Sequence, residues 1–146
     1  MKNLYQFCLL VLLVIVCSPY SLAEQKKVFG EYEVHYIGLT TNYLSKEVAK
    51  QYGIKRSRSL GYVSISILKE GVEQAEDATV SGTMANLFGQ YKTLSFRRIQ
   101  EGKAIYFIST FSVDETENYR FAIDIDPMAS SKDITLNFEQ KFYGES

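Results

Sequence analysis

Tyr119-Arg120-Phe121-Ala122-Ile123-Asp124-Ile125-Asp126-Pro127 places Tyr119, Phe121, Ile123 and Ile125 on one side of an extended chain and Arg120, Asp124 and Asp126 on the other. Successive side chains leave opposite faces of a pleated strand, so this alternation is the period of a half-buried strand. Pro127 ends it by withholding a ladder donor. The same reading extends outward in both directions. Downstream, Ile134, Leu136, Phe138 and Phe142 alternate with Thr135, Asn137, Glu139 and Lys141. Upstream, Ala104 to Val113 is apolar on both sides, with Ile105, Phe107 and Phe111 opposite Tyr106, Ile108 and Thr110, as a central strand requires. Leu94 to Ile99 precedes it across the turn dipeptide Glu101-Gly102. Asp77 to Leu87 is a weaker strand rich in Thr and Ser, with Gly82 as a bulge position. Tyr62 to Lys69 and Phe29 to Tyr36 complete the set, with Val63, Ile65 and Ile67 and then Tyr32, Val34 and Tyr36 on the apolar faces.

About seven strands on short connections, each with one apolar face, predict an all-β fold: an antiparallel two-sheet β-sandwich, immunoglobulin-like. A small closed barrel is the competing architecture. Phe107, Phe121, Ile123, Leu136 and Phe138 are the expected core. Tyr119 falls where a tyrosine corner would, after the acidic run Asp114-Glu115-Thr116-Glu117, which reads as a hairpin turn. One segment breaks the alternation. Ser45 is an N-cap, Val48 and Tyr52 stand at i and i+4, and Gly53-Ile54 is a C-terminal stop with its apolar contact. A short helix over 46–52 is expected between strands one and two, across an open end or edge of the sandwich.

The chain has 146 residues and a formal charge of −1, which gives no global attraction to nucleic acid. Residues 1–23 read as an export signal: Lys2, an eleven-residue apolar run from Phe7 to Cys17, Pro19, then Ser21-Leu22-Ala23 with small residues at −3 and −1. The run is short for a membrane span, which needs ~20 residues, so no stable insertion is expected after cleavage. Cleavage after Ala23 leaves a single domain, 24–146, in the periplasm. The alternative is a lipid anchor on Cys17, opposed by the bulky Val14-Ile15-Val16 before it. Both cysteines lie in the signal, so the mature chain has no disulfide, thiol nucleophile or thiolate metal site. Losing Lys2 moves the charge to −2, and no Asn-x-Ser/Thr site is present.

Chemistry is sparse. His35 is the only histidine and is expected to face solvent beside Glu31 and Glu33. One His without Cys partners falls below the ligand density of a zinc site, and no G-x-S-x-G elbow accompanies it. Asp124 and Asp126 read as a charged outer face. Asp114, Glu115 and Glu117 lack the spacing of a calcium loop. No phosphate-binding glycine loop occurs, so no metal, cofactor or catalytic residue is expected. The candidate binding residues are Lys55, Arg56 and Arg58, three cations within four residues, together with Tyr43 and Tyr91 on otherwise polar faces.

Tyr36 to Ser57, with Thr41, Leu44 and Val48-Ala49-Lys50-x-Tyr52-Gly53-Ile54-Lys55-Arg56-Ser57, resembles the domain-of-unknown-function 4426 family, small exported proteins of gammaproteobacteria. So do Val80-Ser81-Gly82-Thr83, Ala104-Ile105-Tyr106-Phe107-Ile108, Phe121-x-Ile123-Asp124-Ile125-x-Pro127 and Phe138-x-Gln140-Lys141-Phe142-Tyr143. At the helix start Ser45-Lys46 stands where that family has a proline pair. The resemblance implies a periplasmic β-sandwich and no activity. The expected function is therefore a non-enzymatic protein-interaction module with a periplasmic protein partner. A small apolar-ligand carrier is the alternative, and an enclosed apolar pocket of ~300–1,000 Å3 would favour it. An enzyme would need His35 to converge with a carboxylate and a serine in one cleft.

Overall fold

The computed structural model describes residues 24–72 and 74–145; the segment read as an export signal, with its expected cleavage site and Cys17, lies outside them. Among the described residues ten strands, where about seven were expected, form two antiparallel sheets: β1 (Gln25–Phe29), β2 (Tyr32–Thr40), β3 (Leu60–Lys69), β4 (Gln74–Ala75), β5 (Ala78–Ala85), β6 (Tyr91–Leu94), β7 (Arg97–Glu101), β8 (Ala104–Ser112), β9 (Glu117–Pro127) and β10 (Ile134–Phe142). The large sheet runs β1-β2-β3-β8-β7 with β4 also beside β3, and the small sheet runs β10-β9-β5-β6.

Three strands were not legible as separate elements. β1 is exposed along most of its length, so alternation gives it no signature. β4 has two residues. The stretch expected as one strand at 94–99 is two: β6 pairs with β5, the chain crosses at Ser95-Phe96, and β7 pairs with β8. Asp114 to Thr116 is likewise no hairpin, because β8 and β9 belong to different sheets. Gly82 marks no bulge. Its pairing with Leu94 and Ile123 is continuous, and a Cβ there would stand 2.7 Å from the Ile123 side chain, so glycine is required by close packing.

Between the sheets, Val34, Val63, Ile65, Ile67, Ile123 and Leu136 have no more than a trace of exposed surface. Phe107 and Phe121 join them, whereas Phe138 is half-buried at the β10 edge. Tyr119 is buried against Phe111 and Phe142. Burial pushes its phenol up, and the backbone of Asp114, five residues upstream, offsets part of that rise. β8 lies inside the large sheet, with β3 as the middle strand, and both its faces are covered as expected.

The second cover is the helix. α1 (Lys46–Gln51) starts at Ser45, whose Oγ accepts from Val48 N at 3.1 Å. It ends in a Schellman motif: Ile54 N donates to Ala49 O at 2.8 Å and Gly53 N to Lys50 O at 3.2 Å, with Gly53 at φ +65°. The expectation of an end or edge position is corrected. α1 lies on the outer face of the large sheet, where Ala49 and Tyr52 close a second apolar cluster with Leu39, Leu44, Tyr62 and Ile108. No helix among the described residues is long and apolar enough to cross a membrane.

Candidate functional site

The connection from β2 to β3 is built around Thr41, the first residue of a 3-10 turn (Thr41–Tyr43) and fully buried. Its Oγ1 donates toward Lys55 O and Ser57 O at 2.8 and 3.0 Å and accepts from Ser57 N at 2.9 Å. The basic segment is thus held in place from both sides, by the helix stop before it and by Thr41 beneath it. Lys55, Arg56 and Arg58 are all exposed, as is Tyr43 on the adjoining turn. Arg56 is partly engaged, since its Nη2 donates to Asn42 O at 2.7 Å. The structure does not bring Tyr91 to this segment, for Tyr91 stands on β6 of the other sheet.

Tyr91 belongs to a different surface. Asn86 organises the hairpin between β5 and β6: its Oδ1 accepts from Phe88 N at 3.1 Å and Gln90 N at 2.9 Å, its Nδ2 donates to Gln90 Oε1 at 2.6 Å, and Gly89 N donates to its carbonyl at 3.1 Å. Glu117 adds an acceptor for Leu87 N at 2.9 Å. This well-bonded tip carries Leu87 at 64% exposure and Phe88 at 87%, beside Tyr91 at 73%. An open groove of about 390 Å3 adjoins Tyr91 on the outer face of the small sheet, with Ala85, Ala122, Arg120 and Glu139 on its walls. The sequence reading ran the strand through Leu87 and missed Phe88. The available signal was Asn86-Leu87-Phe88-Gly89, a turn bracketed by Asn and Gly whose two central residues are apolar.

His35 does not face solvent alone, contrary to expectation. It is largely covered on the outer face of β2, opposite Ser66, with Glu33 Oε2 3.2 Å from Nε2 and Glu24 Oε1 3.5 Å from Nδ1. Lys26 Nζ, 3.2 Å from Glu33, and then His35 hold the Glu33 carboxyl below the usual range. The two carboxylates address opposite nitrogens of the ring and share no point at which an ion would meet all three. Among the described residues no group of three His, Cys, Asp or Glu side chains is arranged to hold a metal. Asp124 and Asp126 are exposed on the outer face of the small sheet, where Asp124 accepts from Thr135 Oγ1 at 3.2 Å.

His35 forms part of the wall of a cleft of about 230 Å3 between α1 and the large sheet. Its far side is pinned shut at β7. Arg97 donates to the Tyr52 carbonyl, and Glu101 Oε1 accepts from Tyr52 OH at 2.7 Å and Gln51 Nε2 at 2.6 Å. Burial first, and then Glu101, push the Tyr52 phenol strongly up.

No curated protein matches the chain. Among solved structures, a DUF4426 family protein from Pseudomonas aeruginosa PAO1 is 28% identical, with a TM-score of 0.75 over 87% of this chain and 100% of that one. FetP from a uropathogenic Escherichia coli strain shares the fold at 15% identity. A copper-bound variant aligns with a TM-score of 0.61 over 84% of this chain and 97% of its own. The as-isolated protein, expressed recombinantly in the periplasm of Escherichia coli, aligns at 0.60 over 85% and 96%. The family model described as "Domain of unknown function (DUF4426)" matches residues 26–145. With this match over nearly all of its β-sandwich, the chain belongs to the DUF4426 family.

Proposed function

We propose that this is a periplasmic, non-enzymatic interaction module that docks on a protein partner through the β5–β6 hairpin. The observation that carries the reading is Phe88, a large apolar side chain 87% exposed on a turn fixed by a network of hydrogen bonds. Isolated exposed apolar residues are common, but here Leu87, Phe88 and Tyr91 form one group on a pre-organised support, which lowers the ordering cost of binding. Aromatic anchors of this kind dominate binding energy where they fill a partner's pocket. The export signal read in residues 1–23 supports a periplasmic setting, as does a fold shared with FetP, a protein obtained from that compartment. Lys55, Arg58 and Tyr43 belong to a second, basic surface beside the helix stop, suited to an acidic patch.

The test is cross-linking of the exported protein in cells, with Phe88→Ala and Tyr91→Ala variants. Both should keep the unfolding free energy within about 0.5 kcal/mol of the parent. Both should also lose the cross-linked species, and the mature N-terminus should begin at Glu24. Undiminished cross-linking by Phe88→Ala rejects the hairpin as the docking element.

A further inference from the structure

The cleft under α1 has a chemical character of its own, independent of the hairpin. Three tyrosines line it: Tyr52 from the helix end, Tyr62 from β3 and Tyr106 from β8. Leu44 and Val48 close one part with aliphatic surface, and Glu24 and His35 line another. Carboxylates surround it. Glu24 lines it, Glu33 backs His35 and Glu101 receives the Tyr52 hydroxyl. Lys26 pairs with Glu33, and Arg97, on the same strand as Glu101, donates to the Tyr52 carbonyl at the far side of the cleft. Aromatic faces and the Glu24 carboxylate on the lining both attract positive charge, while the aliphatic part favours an uncharged hydrocarbon body. A cavity of ~150 Å3 holds a benzene, so about 230 Å3 accommodates a ligand of roughly ten non-hydrogen atoms.

From this geometry we infer that the cleft binds a small organic cation, a primary or quaternary ammonium carrying a short apolar group. The ammonium lies among the tyrosine faces, near Glu24, and the apolar group lies against Leu44 and Val48. No covalent step is involved.

The test is titration of the isotope-labelled protein followed by NMR, with benzyltrimethylammonium as one probe and choline beside its neutral isostere 3,3-dimethylbutan-1-ol as a pair. A pH of about 8.5 keeps the α-amino group that cleavage would leave on Glu24 largely neutral. Shifts should concentrate at Val48, Tyr62, Ser66 and Tyr106, and choline should bind about tenfold more tightly than the isostere, as cation–π attraction in a partly dry site implies. Tyr106→Leu should weaken choline about tenfold without affecting the isostere. Glu24→Gln, an exposed change that spares folding, should narrow the choline–isostere ratio, and Tyr143→Leu should alter neither ligand. Equal affinity for choline and the isostere would overturn the inference. So would shifts centred outside the cleft, or no binding by any probe at millimolar concentration.

Discussion

Phe121 stacks on Phe138 with ring centroids 4.7 Å apart and planes within 9°, and Phe111 and Phe142 stand 5.8 Å away on its other sides. Truncation to Ala removes one member of each contact and leaves a cavity that β-sheet backbone cannot collapse to fill. Phe121→Ala should therefore cost about 3–5 kcal/mol, read as a lowered urea midpoint at unchanged slope. Position-by-position alternation is enough to find such a residue, because inward direction on a strand is a local property. Burial of polar tips is less visible in sequence. Tyr36, Tyr52, Tyr62 and Tyr119 all have phenols raised by burial above their usual value of 10.0. A folded-state value above the unfolded one means that the stabilisation is complete below pH ~10 and is lost as pH climbs through the raised folded values. Chemical denaturation at pH 8 and pH 11 should show the loss, and tyrosinate absorbance from these four should rise at higher pH in the folded protein than in the unfolded chain. The acid limb has the opposite sign. Glu33 and Asp77 are held low by Lys26 and Arg98 respectively, so their contribution is present above the unfolded carboxylate range and disappears as pH falls through the lowered values.

Elements with local punctuation were legible in advance. α1 is the clearest, since Ser45 and Gly53-Ile54 announce a cap and a stop whose hydrogen bonds then form as read. No atom lies within 4 Å of a Cβ built on Gly53, so any cost of a side chain there is purely conformational. Gly53→Ala should lose about 1–2 kcal/mol, and Gly53→Asn less, measured by the same denaturant titration. What punctuation does not encode is the sheet a strand joins next. Asn86 to Gln90 returns the chain to the same sheet, whereas Ser95-Phe96 and Val113 to Thr116 carry it across to the other. All are short and polar or mixed in composition. Whether a short connection turns back or crosses depends on which distant strand its successor pairs with, as β3 does with β8 and β5 with β9. That is a tertiary choice. Splitting 94–99 into β6 and β7, and placing α1 on a sheet face, both followed from it.

At the scale of the whole molecule, the two candidate surfaces and the cleft exist only once both sheets are assembled. Lys55, Arg56 and Arg58 are visible as a cluster in sequence because they are neighbours along the chain. Tyr52, Tyr62 and Tyr106 line one cleft from a helix and two strands, and no spacing rule relates them. Assembly also leaves the two sides of the sandwich unequal. On one side, Ser95-Phe96 joins β6 to β7 covalently. On the other, β1 and β2 meet β10 only through side chains: Lys27 Nζ donates to Asn137 O at 2.6 Å, Gln25 Nε2 to Gln140 Oε1 at 3.4 Å, and Tyr36 packs on Phe138 with centroids 4.6 Å apart. The domain is thus put together like a book, with a spine along β6–β7 and loose page edges at β1 and β10. Such a book opens from its pages, so amide hydrogens of β1 and β10 should exchange well before those of β3 and β9, in a partial opening that never requires the spine to part.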